Sequence, residues 1–266
     1  MTSISRGVFF LIMAAALFSS CKIQNSLLYF PDASVPSEET LRMYSFDYWP
    51  ARNDYRGFIG TNRSGHTNGT VVVFHGNAAT AADRAYYIAA LAPLGYRVIL
   101  AEYPAYGRRK GTLGETAFVQ DGRETLRLAV EQFGPPVFLI GESLGAGVAA
   151  AVAKDSPIPI NGILLVTPWD TLAAISQEKF PWLPVRLLLT DSYDTIGNLH
   201  SFPGRVAVVG AERDEIIPIH HAQALYDALP GPAKRMLTVR GAGHNNWVAM
   251  VNPSWWAEVM DFVGGH

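Results

Sequence analysis

The passage from Pro136 to Ala153 constrains this chain more than any other. Pro136-Val137-Phe138-Leu139-Ile140 is a continuous apolar run, as a strand buried on both faces should be. Gly141-Glu142-Ser143-Leu144-Gly145 follows, and then the small-residue helical segment Ala146-Gly147-Val148-Ala149-Ala150-Ala151-Val152-Ala153. Small residues on both sides of a sharp turn let helix and strand approach closely. A serine on such a G-x-S-x-G turn is held with its hydroxyl exposed above the sheet. With 24 glycines in the chain, such a pentapeptide arises by chance in about one sequence in eight. The rest of the sequence must therefore supply the context.

It does so by rhythm. Thr70-Val71-Val72-Val73-Phe74 is a β-branched and aromatic run, again a strand buried on both faces. Helix is expected over Thr80–Leu94, strand over Arg97–Ala101, an amphipathic helix over Gly114–Phe133, and strand over Val137–Ile140. Strands at Gly162–Val166, Arg205–Gly210 and Arg235–Val239 follow, with helices at Ile219–Leu229 and Trp247–Val263. Phe46–Tyr48 and Arg56–Thr61 read as short antiparallel strands around Asn53-Asp54. This alternation predicts an α/β fold with a mostly parallel central sheet flanked by helices. Residues 170–203 break it. They hold Phe180-Pro181-Trp182-Leu183-Pro184 and Val185–Leu189, too apolar for a free loop, and are expected to form a short cap within a domain spanning 45–266.

The N-terminus has its own character. Arg6 precedes an apolar run from Gly7 to Phe18, followed by Ser19-Ser20-Cys21-Lys22. A positive start, about a dozen apolar residues and small residues after them describe a signal peptide over 1–21, shorter than the ≈ 20 apolar residues of a membrane-spanning helix. Cys21 is the single cysteine, so it has no disulfide partner within the chain. Its setting resembles the lipobox of bacterial lipoproteins, with Phe18 departing from the usual aliphatic residue. That resemblance implies lipidation at Cys21 and a place in the cell envelope, on the outer-membrane or periplasmic side; simple secretion is the alternative. Residues 22–44 read as a polar tether entering the fold. The net charge is −2, and no Lys/Arg run marks a nucleic-acid footprint.

A serine hydroxyl needs an adjacent base. His244 lies in the Gly-rich stretch Gly241-Ala242-Gly243-His244-Asn245, after the last expected strand. Asp214 follows the penultimate one, in Glu212-Arg213-Asp214-Glu215. Both fall at the C-terminal sheet edge, where catalytic groups gather in open α/β sheets. The order Ser143, Asp214, His244 is that of a nucleophile, an orienting acid and a base. Oxyanion donors are expected from the backbone N–H of Leu144, at the start of a helix, and of Asn77, in the loop His75-Gly76-Asn77-Ala78 after Phe74.

These residues resemble the α/β-hydrolase superfamily, in particular small membrane-anchored or secreted serine hydrolases with an H-G-N-A loop. The segments Leu27-Leu28-Tyr29-Phe30-Pro31, His75–Ala78, Glu102–Gly107, Gly141–Gly145, Thr167–Asp170, Asp214 with Ile217-Pro218, and Gly243-His244 match in order. Pro104-Ala105 departs from the Arg-Gly pair common in relatives, with Arg108 nearby to compensate. The resemblance implies hydrolysis of a carboxylic ester or thioester through an acyl-enzyme, without cofactor, on a small-molecule or lipid substrate. An aminopeptidase-like amidase and a lipid-directed hydrolase are alternatives. A binding lipoprotein that keeps the fold without catalysis is a third, disfavoured by the complete set of groups.

Other residues invite weaker readings. Asp170 is a rival for the orienting acid, though a capping role suits it better. Glu142 is expected to face away from the reaction centre, pairing locally or shaping the cleft. His75 is expected to fix its turn. Trp182 is a candidate wall of the acyl pocket. His220 and His221 are adjacent on a helix and expected to diverge, so no metal site is expected.

Overall fold

The structure, a computed structural model, describes residues 23–60 and 67–265. The signal segment and Cys21 lie outside these residues. Ten strands are described, numbered here in chain order: β1 (Phe30–Pro31), β2 (Phe46–Trp49), β3 (Gly57–Gly60), β4 (Gly69–Phe74), β5 (Ala78–Ala79), β6 (Tyr96–Ala101), β7 (Val137–Glu142), β8 (Gly162–Val166), β9 (Arg205–Ala211) and β10 (Lys234–Val239). Eight form one sheet in the order β10-β9-β8-β7-β4-β6-β3-β2. All neighbours are parallel except β2 with β3 and β3 with β6. β1 and β5 form a separate two-stranded parallel pair.

The apolar runs divide by parity, because successive side chains in a strand point to opposite faces. Val72, Phe74, Leu139, Ile163, Leu165, Val206 and Val208 enter one core. Val71, Val73, Phe138, Ile140, Leu164, Val166, Ala207 and Val209 enter the other. The first core is covered by the helices Glu115–Phe133, Leu144–Ala153 and Ile219–Ala228, the second by Tyr86–Leu91 and Pro253–Gly264. The parallel strands are thus apolar on both faces because both are roofed by helix.

Two expected helices are broken. Thr80–Leu94 resolves into a 3-10 turn, Ala81–Arg84, and the helix Tyr86–Leu91. Trp247–Val263 resolves into a 3-10 turn, Trp247–Met250, and the helix Pro253–Gly264. Pro253 has no N–H for a preceding turn and sits at the first helical position, behind an Asn252 cap that accepts from Trp255 N–H. Residues 170–203 form three short helices, Leu172–Lys179, Val185–Leu188 and Thr195–Leu199.

Residues 23–44 are more than a tether. Residues 23–28 are helical, β1 follows, and the helix Glu38–Met43 is capped by Ser37, whose side chain accepts from Thr40 N–H. Tyr29 is buried against Phe118. Tyr29 O–H donates to Asp191, and Gln24 Nε2 donates to Asp191 Oδ2 at 2.7 Å. Asp191 also accepts from Glu115 N–H at 3.1 Å. One half-buried carboxylate therefore joins the N-terminal segment, the cap and the helix Glu115–Phe133. The Tyr29 phenol is pushed far up, first by burial and then by the Asp191 charge, so it remains a donor. Among the described residues no helix is long and apolar enough to cross a membrane.

Candidate active site

Ser143 is the pivot between β7 and the helix Leu144–Ala153, with φ 56° and ψ −117°. This is a costly conformation for a residue with a Cβ, and close packing enforces it. A Cβ on Gly145 would lie 2.0 Å from Phe74 O, and one on Gly141 would lie 2.3 Å from Gly145 O. Ser143 N–H donates to Val166 O at 2.9 Å, and all ten residues of the following helix are buried. The strand–turn–helix sequence thus folds as a clamp that leaves the Ser143 hydroxyl at the C-terminal sheet edge.

Two other edge loops meet it there. His244 Nε2 is 3.0 Å from Ser143 Oγ. His244 Nδ1 is 2.8 Å from Asp214 Oδ2 and 3.0 Å from Asp214 Oδ1. Asp214 Oδ1 also accepts from Ile216 N–H at 2.9 Å and Ile217 N–H at 2.7 Å. A carboxylate with only acceptors fixes the proton on Nδ1, so Nε2 presents a lone pair to the Ser143 O–H. All three side chains are buried. Asp170 is occupied elsewhere: its Oδ1 accepts from Thr171 N–H at 2.7 Å and contacts His221 Nδ1 at 2.8 Å. Burial pushes Asp170 up, but the bonds from His221 and Thr171 outweigh it and hold its carboxyl below the ordinary range.

Leu144 follows Ser143 and opens the helix Leu144–Ala153, and Asn77 lines the cleft with Ser143. The Leu144 N–H belongs to a first helical turn, which offers it no acceptor within the helix. Gly76, Asn77 and Ala78 line the same cleft as Ser143 and His244. A Cβ on Gly76 would stand 3.6 Å from Ser143 Cβ. The loop is held from behind. Asn77 O accepts from Phe30 N–H at 2.9 Å and Tyr106 O–H at 2.6 Å, and Asn77 Nδ2 donates to Leu28 O at 2.9 Å. His75 fixes the turn: Nδ1 donates to Gly76 O at 2.8 Å, and Nε2 meets buried Glu102 Oε1 at 2.9 Å. Glu102 Oε2 in turn accepts from Ala81 N–H at 3.1 Å. The neighbouring turn with Pro104-Ala105 is braced by Arg109, which bonds Glu102 O and Asp121; Arg108 is exposed.

Glu142 lines the cleft. Its carboxylate accepts from Arg84 Nε at 2.9 Å, Tyr87 O–H at 2.9 Å and Tyr86 O–H. Burial and then the Glu142 charge push both phenols well up, which keeps them as donors. Arg84 gave no motif in the sequence; only its spatial partner Glu142 reveals it.

The cleft has a volume of about 430 Å³. Leu27, Leu28, Phe30, Trp169, Leu172, Ile175, Phe180, Ile216 and Ile217 wall it. Beside it lies a second cavity of about 210 Å³, lined by apolar side chains except for Gln24 and Ser176. The two share Leu27, Leu28, Leu172, Ser176 and Phe180. Trp182, a candidate for this wall, is 76% exposed; Leu183, Val185 and Leu189 line the cavity instead. The contribution of residues 23–30 had no periodic signal, since their partners lie in the cap.

The expectation that His220 and His221 diverge is corrected. Their ring centroids are 4.5 Å apart. His220 Nε2 and His221 Nε2 lie 2.8 and 3.1 Å from the same Glu178 Oε2. The helical spacing rule describes the interior of a helix, and these residues open one, Ile219–Ala228.

The sheet order, its antiparallel edge and the turn at Ser143 are those of an α/β hydrolase. The chain belongs to the same family as the uncharacterized protein Rv2307c of Mycobacterium tuberculosis (strain ATCC 25618 / H37Rv), with 33% identity over 230 residues, 84% of this chain and 81% of that one. Residues 65–190 match the Hydrolase_4 family, described as serine aminopeptidase, S33. The lysophosphatidylserine lipase ABHD12 of Danio rerio is 23% identical over 176 residues, 59% of this chain but only 46% of that longer one. Among solved structures, an esterase of Pyrococcus furiosus superposes with a TM-score of 0.68 at 19% identity, covering 88% of this chain and 97% of its own. A monoacylglycerol lipase of Paleococcus ferrophilus gives 0.55 at 17% identity, covering 76% and 96%.

Proposed function

We propose that this protein is a serine hydrolase acting on carboxylic esters with an apolar acyl chain, including monoacyl lipid esters. The observation that carries the reading is the Ser143–His244–Asp214 hydrogen-bond chain in a cleft that shares five lining residues with an adjacent apolar cavity. Ser143 Oγ attacks the ester carbonyl while His244 Nε2 takes its proton, and Asp214 stabilises the imidazolium. The N–H groups of Leu144 and Asn77 bind the oxyanion. The tetrahedral intermediate collapses with loss of the alcohol, which receives its proton from His244. Water, deprotonated by His244, then releases the acid. The acyl chain lies between the cap and residues 23–30, where each buried methylene contributes about 0.8 kcal/mol. The names of the lipid-hydrolase relatives agree with such a substrate.

The same reading places the enzyme at a membrane through a lipid on Cys21. Ile23 and Leu27, 60% and 59% exposed, begin the described chain just after it and would face the lipid. The intact mass of membrane-extracted protein tests this, and an unmodified Cys21 refutes it.

The activity is tested with esters of increasing acyl length beside matched amides and thioesters. The reading expects kcat/KM to rise from acetyl to medium-chain esters, with labelling of Ser143 by a fluorophosphonate and loss of both in Ser143→Ala. Preference for amides, or a folded protein that resists the probe, overturns it. Preference for thioesters would keep the chemistry and change the substrate.

A further inference from the structure

Glu178, His220 and His221 present one ligand atom each, all within 4.8 Å of one another. Glu178 belongs to the cap helix Leu172–Lys179, and the two histidines open the helix Ile219–Ala228. We propose that these three side chains bind a divalent transition-metal ion of the Zn²⁺ type, which ties the cap to the helix behind the Asp214 loop.

Three features carry this. The first is spacing. Metal–nitrogen and metal–oxygen bonds of about 2.0–2.2 Å in a tetrahedron place ligand atoms about 3.3 Å apart. The two nitrogen–oxygen separations here are 2.8 and 3.1 Å, so an ion enters by an opening of a few tenths of an ångström. The second is the outer shell. His221 Nδ1 donates to Asp170 Oδ1 at 2.8 Å, and Asp170 is fixed by Thr171 N–H at 2.7 Å. A ligating histidine characteristically gives its other N–H to a carboxylate, which sets the tautomer and leaves the Nε2 lone pair for the metal. The third is the donor set. Two imidazoles and one carboxylate suit Zn²⁺, Co²⁺ or Ni²⁺ over Mg²⁺ or Ca²⁺, and exposure of His220 and Glu178 leaves a fourth position for water. Imidazole and carboxylate ligands must be deprotonated to bind an ion, so affinity falls as the pH drops.

The ion would act on the cleft without touching substrate. Leu172, Ile175, Ser176 and Lys179, on the Glu178 helix, line the catalytic cleft. His220 follows Ile217, whose N–H holds Asp214, by three residues. Lys179 Nζ reaches Glu215 O at 3.4 Å alongside.

The test uses the untagged, chelator-treated chain with Zn²⁺ by calorimetry and Co²⁺ by visible absorption. His220→Asn and Glu178→Gln alter exposed residues and should leave the apo protein folded, which its melting curve checks. His244→Ala removes the histidine that lines the cleft. The proposal expects one equivalent bound, a tetrahedral Co²⁺ spectrum, and a Tm raised by Zn²⁺. Affinity should fall at least tenfold in both cluster variants and hold in His244→Ala. Binding that is absent, non-stoichiometric or unchanged in the cluster variants means an ion pair only and overturns it. Loss of binding in His244→Ala assigns the ion to the catalytic histidine and overturns it equally. None of these readouts depends on ester hydrolysis.

Discussion

Around Ser143 the backbone is fixed by contacts closer than any side chain would permit, and every polar group of the reacting trio has a named partner. Across the cleft, the cap holds itself with three helices of four to eight residues, and Trp182 and Leu187 stand 76% and 83% exposed. The first region is built on parallel strands roofed on both faces; the second leans on the N-terminal segment through the Asp191 carboxylate, the Tyr29–Tyr193 hydroxyl pair and Gln24, whose Oε1 accepts from Thr190 N–H. The difference separates two tasks. A nucleophile must be held to within a fraction of an ångström, whereas an acyl site needs apolar surface and room for chains of different length. Under the proposed function, the rigid groups govern turnover and the cap governs which ester is accepted.

The sharpest way to break that division is at the orienting acid. Asp214→Asn retains the shape but loses the charge and the tautomer control, so kcat should fall on the order of 10⁴-fold for short and long esters alike. Asp170→Asn should leave turnover of a short ester nearly intact, because Asp170 faces His221. Initial rates on both esters check this; equal losses in the two variants would dissolve the distinction.

Gly145→Ala probes the scaffold. Its Cβ would fall 2.0 Å from Phe74 O, with backbone on both sides and no side chain to swing away. The cost should exceed the about 1–3 kcal/mol of ordinary overpacking. Denaturant unfolding should show a large loss of stability or no folded protein. A fold near wild-type stability would mean that the turn is not locked as described.

Ser176→Trp probes the cap. Ser176 lines both the cleft at Ser143 and the apolar cavity, so an indole there should fill the space where the two adjoin. Loss of contact with three or four methylenes, about 0.8 kcal/mol each, predicts a fall of about 50- to 200-fold in kcat/KM for long acyl esters. Acetyl ester turnover should hold. A uniform loss across the series would place the acyl chain elsewhere.

What was legible in the sequence follows the same boundary. The strands, the turn at Ser143 and the loops with Asp214 and His244 announce themselves by period, glycine and order, all local properties of the chain. The rest depends on distant partners. Tyr29 meets Asp191 across 162 positions, which no local pattern encodes, so residues 22–44 read as tether although Leu27, Leu28 and Phe30 wall the cleft. Arg84 finds Glu142 across 58 positions. His220 and His221 were judged by the interior of a helix and lie at its first turn. The broken helices at 80–94 and 247–263 had the right apolar content, but Pro253 and the capping box of Thr80 with Asp83 reset the backbone.

The smallest expected effect is the most discriminating. Asp191→Asn keeps the volume of the side chain and removes its charge. Gln24 Nε2 and the Tyr29 phenol share Asp191 Oδ2, while Glu115 N–H bonds Oδ1; the amide offers one acceptor oxygen for these two positions, so one of them then faces an NH2 donor. A hydrogen bond to a charged group contributes about 1.5–3 kcal/mol, so Tm should fall by several degrees while the Ser143 clamp stays intact. With the N-terminal wall loosened, KM for long acyl esters should rise a few-fold, and kcat on an acetyl ester should not change. Because Asp191 contacts neither Ser143, His244 nor Asp214, a drop in acetyl turnover would show that the cap and the turn act as one unit. An unchanged KM would show that residues 23–30 cover the cavity without contributing to binding.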